Sequence, residues 1–344
     1  MTQVSAGLTV AITGAGGFIG SHLTELALRQ GLRVRALVHY NALGSIGHLA
    51  EVTGAGGSSG ESGSAEARLT IVAGDVLDGR CLRELIEGCD QVFHLAALIG
   101  VPYSYRAPSS YVQVNAVGTL NLLEAAREAK PERVIVTSTS EVYGSARRTP
   151  MDEEHPLAAQ SPYAASKIAA DHLAQAYHLS FGVPVVTLRP FNAFGPRQST
   201  RAVIPTILGQ ALSPECDAIR LGSVEPVRDW TYVEDVARGY LALARAPLER
   251  VAGRVYNLAT GRGRSVEEIA RLALEIAGAT KPILPCDERR RPPASEVERL
   301  IGDASQLSEA TGWRPAAPLE EGLRRTVDWL APRLAQIHPD EYRL

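Results

Sequence analysis

Tyr163 and Lys167 stand four residues apart in the stretch YAASK. On a helix, side chains with this spacing lie on one face. A lysine ammonium beside a phenol stabilises the phenolate and lowers the tyrosine pKa, so that the tyrosine can act as a base near neutral pH. The same pair also occurs on ordinary helix surfaces, so its meaning depends on the rest of the chain.

A run of hydroxyl side chains precedes this pair at residues 137–140, and Glu141 follows the run directly. The run closes the predicted strand Arg133–Thr137, and open parallel sheets bind ligands beyond the carboxyl ends of their strands. Hydroxyls there can hydrogen-bond a substrate hydroxyl, while Glu141 can take or give a proton. The alternative is that the hydroxyls cap the strand and Glu141 is a surface acid.

A glycine-rich turn follows the first predicted strand, with its glycines spaced G-x-x-G-x-x-G. Glycine permits a tight turn, close approach of the backbone to a pyrophosphate, and close helix–strand packing, with the anion at the helix N-terminus. Because a strand precedes this turn and a helix follows it, we predict that it binds a dinucleotide. The predicted cofactor contacts here are Gly14, Gly17, Phe18, Ile19 and Gly20.

The predicted strand ends supply further cofactor contacts. The second strand ends in LVHY at 37–40, without the acidic residue that would bind the ribose 2′-hydroxyl, so NAD and NADP both remain open. His39 is placed to touch that ribose, and Asp75 and Val76 are placed to meet the adenine. After the fourth strand, the residues expected along the cofactor are Leu95, Ala96 and Ala97.

Short apolar runs alternate with longer helical patterns through the first two-thirds of the chain. This alternation predicts an α/β fold, a doubly wound parallel (Rossmann) sheet covered by helices on both faces. Predicted strands are Leu8–Thr13, Arg33–Val38, Leu69–Ala73, Gln91–Leu95, Arg133–Thr137 and Pro184–Leu188, and predicted helices include Phe18–Gln30, Thr119–Glu128 and Ala164–Ser180.

More proline and shorter elements after about Gly195 predict a smaller C-terminal substrate lobe. We assign residues 1–190 to a dinucleotide-binding domain, to which the chain returns around 229–260. Residues 191–228 and 261–344 form the predicted substrate lobe. The segment at 54–63, GAGGSSGESG, is predicted to be a mobile loop without a function of its own.

Composition narrows the class of protein. The chain has 344 residues and a formal net charge of -3, which gives no reason to expect nucleic acid or an anionic membrane as partner. Its four cysteines form no C-x-x-C pair, which argues against a metal site and a disulfide framework and suits a reducing compartment. Without a secretion signal or a membrane-spanning apolar run, we expect a cytoplasmic protein.

Taken together, the motifs resemble those of an extended short-chain dehydrogenase/reductase of the NAD-dependent sugar epimerase/dehydratase family. The resemblance implies a nucleotide-diphosphate sugar as substrate and NAD as cofactor, with NADP left open. The matching motifs cover most of the chain in the family's order: the Gly14–Gly20 turn, HLAA at 94–97, Asn115 in NAVGTL, Thr139, Tyr163 and Lys167, RPFNAFGPR at 189–197, and RDWTYVEDVA at 228–237.

Glu141 narrows the resemblance to the sugar 4,6-dehydratases, which abstract a C5 proton. Ser140-Glu141 is similar to the pair in GDP-mannose dehydratases and in nucleotide-GlcNAc dehydratases of legionaminate-type pathways. Nucleoside-diphosphoglucuronate decarboxylases, with a similar S-E-V-Y-G, are the nearest alternative, followed by C4 epimerases. A decarboxylase needs cationic or hydroxyl groups to hold its carboxylate. The sequence around Glu141 offers hydroxyls but no cation, which favours the dehydratase.

The resemblance also implies roles for individual residues. Tyr163 takes the 4-hydroxyl proton, Thr139 orients that hydroxyl and Lys167 holds the cofactor ribose. Glu141 takes the C5 proton, while Ser140 has no carboxyl proton to give to the leaving hydroxyl. The implied contacts to the nucleotide diphosphate are Asn192, Arg228 and Arg291.

Two further expectations concern assembly and activity. Family members pair through the helix that carries the Tyr/Lys motif, so we expect a homodimer. The apolar residues that this helix offers are Ile168, Ala169, Leu173 and Ala176. The non-enzyme alternative is a silent dinucleotide-binding regulator, which would have no need of Tyr163, Lys167 and Glu141 together.

Overall fold

A parallel sheet of seven strands runs through the part of the chain that the computed structural model describes, residues 7–54, 67–337 and 339. The loop predicted at 54–63 lies, apart from its first residue, outside this part. The strands in chain order are β1 Thr9–Thr13, β2 Arg33–His39, β3 Leu69–Gly74, β4 Gln91–His94, β5 Arg133–Thr137, β6 Val185–Pro190, β7 Asn192–Phe194, β8 Ile219–Leu221, β9 Val227–Tyr232, β10 Val255–Leu258, β11 Gly263–Ser265, β12 Ile283–Pro285 and β13 Arg299–Leu300.

The order of strands across this sheet is β10-β6-β5-β4-β1-β2-β3, and neighbouring strands are parallel throughout. The chain winds outward from β1 in one direction and then in the other, which confirms the predicted doubly wound Rossmann sheet. All six predicted strands are present, with ends within two residues of the predicted ones. β10 adds a seventh strand that the sequence pattern did not single out.

Helices cover the sheet on both faces. In chain order they are α1 Phe18–Arg29, α2 Leu49–Val52, α3 Gly79–Ile86, α4 Val101–Ser104, α5 Pro108–Tyr111, α6 Gly118–Ala129, α7 Pro162–Phe181, α8 Val203–Leu212, α9 Val233–Arg245, α10 Leu248–Val251, α11 Val266–Ala277, α12 Ser305–Thr311 and α13 Leu319–Leu330. A π-helical segment, Val112–Val117, joins α5 to α6, and shorter 3₁₀ turns occur at Ser140–Tyr143, Asp287–Arg289, Pro293–Ser295 and Ala331–Gln336.

Successive side chains of each strand enter different cores, because they point to opposite faces of the sheet. In β1, Val10 and Ile12 pack with α1 and α9, whereas Ala11 packs with α3, α6 and α7. A fully buried valine or isoleucine contributes about 1.5–3 kcal/mol. Strands that are apolar on both faces are therefore stable only when helices cover both faces.

A second set of strands is built around β9 in the C-terminal part of the chain. β7 and β13 pair with β9 in parallel and β11 pairs with it antiparallel, while β8 and β12 form a separate pair. Residues of α8, α11 and α13 pack with β8 and β9 in one apolar cluster. The division of the chain into domains at 190, 228 and 260 stays a prediction.

Candidate active site

The glycine turn connects β1 to α1 at the carboxyl edge of the sheet. Gly14 has φ +69°, and a Cβ there would lie 2.8 Å from the Ala96 nitrogen. At Gly20 a Cβ would lie only 2.1 Å from the Gly14 oxygen, so helix and turn are in direct backbone contact. Side chains larger than hydrogen at these two positions would push the turn away from the 95–96 segment and from α1, and so disrupt the close backbone packing that a pyrophosphate-binding turn requires.

The N-terminus of α1 presents backbone N–H groups toward this turn. Gly17 precedes the helix without a side-chain cap, and the first turn, which begins with the half-buried Phe18 and Ile19, carries no acidic residue. The first amides of a helix have no partner within the helix and attract anions. The residues present therefore fit the pyrophosphate of a dinucleotide.

Thr13 fixes the segment that lines the other side of the turn. Its hydroxyl accepts hydrogen bonds from the amides of Leu95 (3.2 Å) and Ala96 (3.1 Å) and shares one with His94 Nδ1 (2.8 Å). His94 Nε2 lies 3.1 Å from the Thr119 hydroxyl, and burial lowers the His94 pKa to about 3. The neutral imidazole thus anchors the half-buried segment 95–97, the predicted path of the cofactor.

The strand ends bring His39 and Asp75 together. His39 Nδ1 lies 3.7 Å from Asp75 Oδ2; the His39 side chain is largely exposed and that of Asp75 is half-buried. The next residue, Val76, is buried, and its side chain lies against Gly118. The aspartate that follows β3 thus stands beside the place where β2 lacks an acid, which leaves both residues available to the ribose.

Tyr163 lies in the first turn of α7, whose N-cap Ser161 accepts a hydrogen bond from the Ala164 amide (3.1 Å). Its ring is buried and packs edge-on against Tyr111, with the ring centroids 6.1 Å apart. Burial raises the Tyr163 pKa, a hydrogen bond with Thr139 lowers it, and the charge of Glu141 raises it. The predicted hydroxyl and carboxylate partners are therefore close to this phenol.

Lys167 follows one helical turn later, as predicted, and is buried with it. Its ammonium donates a 2.6 Å hydrogen bond to the Thr137 carbonyl at the end of β5. Burial lowers the Lys167 pKa to about 8, against the opposing effect of Asp171. The effect of Lys167 on the Tyr163 pKa stays a prediction, because burial of the phenol is the dominant influence in this arrangement and the ammonium bonds to backbone.

Asp171 is a site residue that the sequence analysis missed. It stands four residues after Lys167 and forms a buried ion pair with Arg189, whose Nε lies 3.0 Å from Asp171 Oδ2. Arg189 also donates to the Tyr143 hydroxyl (2.9 Å), which in turn donates to Asn257 Oδ1 (2.7 Å). The four-residue spacing of Tyr163, Lys167 and Asp171 was the signal that could have revealed this residue.

Thr139, Ser140 and Glu141 form the start of a single 3₁₀ turn after β5. The Thr139 hydroxyl accepts a hydrogen bond from the Glu141 amide (3.3 Å), which fixes the carboxylate relative to the hydroxyl. Ser140 is buried, and Glu141 is half-buried. The alternative of Glu141 as a surface acid is inconsistent with a side chain that is only 11% exposed.

Two arginines from the C-terminal part of the chain reach the same place. Arg291 Nη1 lies 3.5 Å from Glu141 Oε1 and 4.0 Å from Glu296 Oε1, and Arg228 Nη2 lies 3.4 Å from Glu296 Oε1. Glu141 therefore has beside it a cation that the adjacent sequence does not supply. Arg291 comes from a remote part of the chain, so local sequence gave no sign of it.

Asn192, the remaining predicted substrate contact, lies in β7 next to β9. Its Oδ1 is buried and has no hydrogen-bond partner among the described residues. A buried amide oxygen without a partner costs free energy that a ligand donor could recover. The Asn192 side chain thus has an unused hydrogen-bond acceptor, as expected of a predicted substrate contact.

Residues on both sides of the site meet near Arg291. The Tyr105 hydroxyl lies 2.6 Å from the Ser295 hydroxyl, and Ser295 also donates to the Gln160 carbonyl. Gln160 Nε2 donates to the Ala294 carbonyl (3.1 Å). These bonds tie the 293–296 segment to the sheet domain and hold Arg291 and Glu296 over the carboxyl edge of the sheet.

A parallel sheet that carries a glycine turn and a Tyr–Lys helix at one edge defines a short-chain dehydrogenase/reductase of the extended type. The model of the GDP-mannose 4,6-dehydratase family matches residues 11–326. The chain belongs to this family. No helix within 7–54 and 67–337 combines the length and the apolar character needed to cross a membrane.

Curated relatives agree with this family. A dTDP-glucose 4,6-dehydratase of Xanthomonas campestris pv. campestris is 33% identical over 346 residues, which cover 93% of this chain and 92% of the relative. One from Streptomyces griseus is 35% identical over 323 residues, covering 92% of each chain.

Solved structures agree as well. DesIV, a dTDP-glucose 4,6-dehydratase from Streptomyces venezuelae solved with NAD bound, superposes with a TM-score of 0.84 at 29% identity, covering 97% of this chain and all of DesIV. A UDP-glucuronic acid 4-epimerase from Bacillus cereus, in complex with UDP-glucuronic acid and NAD, gives a TM-score of 0.83 at 28% identity, over 96% of this chain and all of the epimerase.

Proposed function

We propose that this chain is an NAD-dependent nucleotide-sugar 4,6-dehydratase, which forms a 4-keto-6-deoxy sugar. The observation that carries the proposal is the meeting of Thr139, Tyr163 and Glu141 at the carboxyl end of β5. Thr139 hydrogen-bonds to the phenol, its hydroxyl also accepts the Glu141 amide, and the Glu141 carboxylate is close enough to raise the Tyr163 pKa. A hydroxyl anchor, a proton acceptor for O4 and a carboxylate for C5 thus share one site.

NAD supplies the hydride acceptor for C4 and later the hydride donor for C6. Thr139 holds the 4-hydroxyl, and Tyr163 in its phenolate form takes the proton of that hydroxyl as C4 becomes a ketone. Lys167 holds the cofactor ribose and keeps a positive charge behind the phenol. Contacts to the rest of the cofactor come from Gly14, Gly17, Phe18, Ile19, Gly20, His39, Asp75, Val76, Leu95, Ala96 and Ala97.

The ketone makes the C5 proton acidic, and Glu141 removes it as the C6 hydroxyl leaves as water. Ser140 cannot supply a carboxyl proton to that leaving group. Glu141, protonated in the preceding step, or a water molecule gives it instead. Because the hydride returns to C6, no reduced cofactor accumulates.

The substrate is a hexose linked to a nucleoside diphosphate. Arg228 and Arg291 bind the diphosphate, because a planar guanidinium pairs well with phosphate oxygens. Asn192 donates from its Nδ2 to the same part of the substrate, and its unsatisfied Oδ1 accepts a hydrogen bond from a substrate hydroxyl. dTDP-glucose is the first candidate, since the relatives described above are dTDP-glucose 4,6-dehydratases.

The decarboxylase alternative gains one observation, the guanidinium of Arg291 beside Glu141. The Arg291 guanidinium could form an ion pair with the C6 carboxylate of a glucuronate, as it does with the Glu141 carboxylate. The named activities of the relatives favour the dehydratase, and the reaction products separate the two activities completely.

The protein is proposed to act as a homodimer in the cytoplasm. Ala169 and Ala176 are exposed on α7, while Ile168 and Leu173 are half-buried against its own domain. Two smooth alanine-lined helices can pack against each other. The four free cysteines suit a reducing compartment. Light scattering at micromolar concentration should give twice the chain mass, and Ala169→Arg should reduce it to the monomer mass.

The test of activity is to incubate the purified protein and NAD with dTDP-glucose, UDP-glucose, GDP-mannose, UDP-GlcNAc and UDP-glucuronate. Mass spectrometry should detect loss of one water from a neutral nucleotide sugar. Loss of carbon dioxide from UDP-glucuronate alone would identify a decarboxylase, and a change of retention without change of mass an epimerase. Tyr163→Phe serves as the inactive control.

A further inference from the structure

Arg291 is shared between two functions that the site requires. It is a predicted contact of the substrate diphosphate, and its Nη1 is also the closest cationic atom described beside Glu141, at 3.5 Å. The Glu141 side chain is 11% exposed and that of Arg291 is 23% exposed, so solvent screens this ion pair only in part. Arg291 Nη1 has no well-formed hydrogen bond among the described residues, so the pair is electrostatic and loosely held.

The charges around this pair balance. Arg228 and Arg291 supply the positive charges, and Glu141 and Glu296 supply the negative ones. The Glu141 charge acts on the Arg228, Arg291 and Tyr163 side chains, and Arg291 also faces Tyr105. Anionic phosphates that enter this cluster must either displace a carboxylate from a guanidinium or leave the cluster with excess negative charge.

We propose that Arg291 is a positioning residue that restrains the catalytic base Glu141, and that the substrate diphosphate releases the base by drawing this guanidinium to itself. The inference rests on the dehydratase function proposed above. Two phosphate oxygens can pair with the planar guanidinium fork, whereas Glu141 holds it through one long contact. The diphosphate is therefore the stronger competitor.

Release changes the chemistry of Glu141. A carboxylate next to a guanidinium holds a proton weakly, and the same carboxylate next to phosphates holds a proton more strongly. Glu141 thus becomes a stronger base once a complete nucleotide sugar is bound. Neither a free sugar nor a nucleoside would trigger the change, because neither carries the diphosphate.

The direct measurement is the titration of Glu141 by ¹³C NMR in protein labelled at the glutamate side-chain carboxyls. The resonance is assigned by its disappearance in Glu141→Gln. The probes are dTDP, UDP, GDP and ADP, of which calorimetry first selects one that binds, together with the corresponding nucleoside. The selected diphosphate should raise the titration midpoint by about one pH unit or more, roughly a tenfold gain in proton affinity. The nucleoside should leave the midpoint unchanged.

Substitutions identify the cation that is responsible. Without nucleotide, the Glu141 midpoint in Arg291→Gln should already lie near the value that the wild type reaches with diphosphate. Adding the diphosphate to Arg291→Gln should then raise the midpoint by less than half of the change seen in the wild type. Arg291→Lys keeps a charge and should restore most of the wild-type behaviour. Arg290→Gln is the matched control, since Arg290 pairs with Asp287 at the surface. It should titrate like the wild type.

The outcomes separate this inference from the proposed function. If a diphosphate binds and the Glu141 midpoint stays in place, or if Arg291→Gln titrates like the wild type, the restraint does not exist although the dehydratase assignment stands. If none of the nucleoside diphosphates binds, the proposed function fails and this inference fails with it. The acid limb of kcat/KM reports the free enzyme, and the acid limb of kcat reports the substrate complex. A restraint therefore predicts that the two limbs lie at different pH in the wild type. Arg291→Lys should keep this difference, and Arg291→Gln should abolish it.

Discussion

Asp171 Oδ2 accepts a 3.0 Å hydrogen bond from Arg189 Nε, and both side chains are about 95% buried directly behind Lys167. The other Asp171 oxygen, Oδ1, is buried without a partner among the described residues. Asp171 is also the carboxylate that raises the Lys167 pKa against the effect of burial. Asp171 therefore has two functions: it is the counter-ion of the buried Arg189, and its charge raises the pKa of Lys167.

Asp171→Asn should separate these two functions. Loss of the carboxylate leaves the Arg189 charge without its counter-ion and should lower the free energy of unfolding by about 3–5 kcal/mol. The Lys167 pKa should also fall below about 8, so the alkaline limb of kcat should move to lower pH. Urea unfolding and a pH–rate profile measure the two effects.

The control for this variant is Asp171→Glu, which keeps the charge. It should lose stability through misfit but keep the wild-type alkaline limb. An alkaline limb that is the same in Asp171→Asn as in the wild type would show that Asp171 acts on Arg189 alone.

His94 predicts how stability depends on pH. Burial lowers its pKa from 6.5 to about 3. The unfolded chain therefore binds a proton below pH 6.5 that the folded protein does not bind until about pH 3, and the free energy of unfolding falls as pH drops through this window. The contribution is about 1.4 kcal/mol per pH unit. His94→Gln should flatten the slope measured by urea unfolding between pH 6 and 4.5, whereas exposed His172→Gln should keep it.

A pair of glycines with the same backbone angle tests the cofactor turn. Gly14 and Gly88 both have φ +69°, but a Cβ at Gly14 would lie 2.8 Å from the Ala96 nitrogen, whereas one at Gly88 meets nothing within 4 Å. Alanine at either position bears the cost of the left-handed conformation, roughly 1–2 kcal/mol. Gly14→Ala should in addition abolish NAD binding in calorimetry. Equal NAD affinity of the two variants would refute the assignment of the turn.

Local sequence was sufficient to predict the sheet, the glycine turn and the Tyr163–Lys167 helix. Each depends on contacts between residues near in sequence or on the period of apolar side chains. β10 was not singled out, because its four residues Val255–Leu258 are too short a run to distinguish from an irregular segment. Its place beside β6 is set by tertiary pairing.

The charge arrangement of the site could not be read in the same way. Arg291 and Glu141 meet only after the C-terminal segment is tied to Tyr105 and Gln160. Glu296 pairs with Arg228 across the same cluster. Such contacts depend on the three-dimensional path of loops, for which a single sequence has no periodic signal.

One site is proposed to oxidise C4, remove the C5 proton and return the same hydride to C6. The most direct measurement is an NMR analysis of the product formed from dTDP-glucose deuterated at C4, in parallel with unlabelled dTDP-glucose in deuterium oxide. We predict that deuterium from C4 appears at C6 in the first reaction, and that solvent deuterium appears at C5 in the second. Glu141→Gln should form neither product. Intact C5 protons, or stoichiometric formation of reduced cofactor with the sugar C6 hydroxyl retained, would rule out the dehydratase reaction.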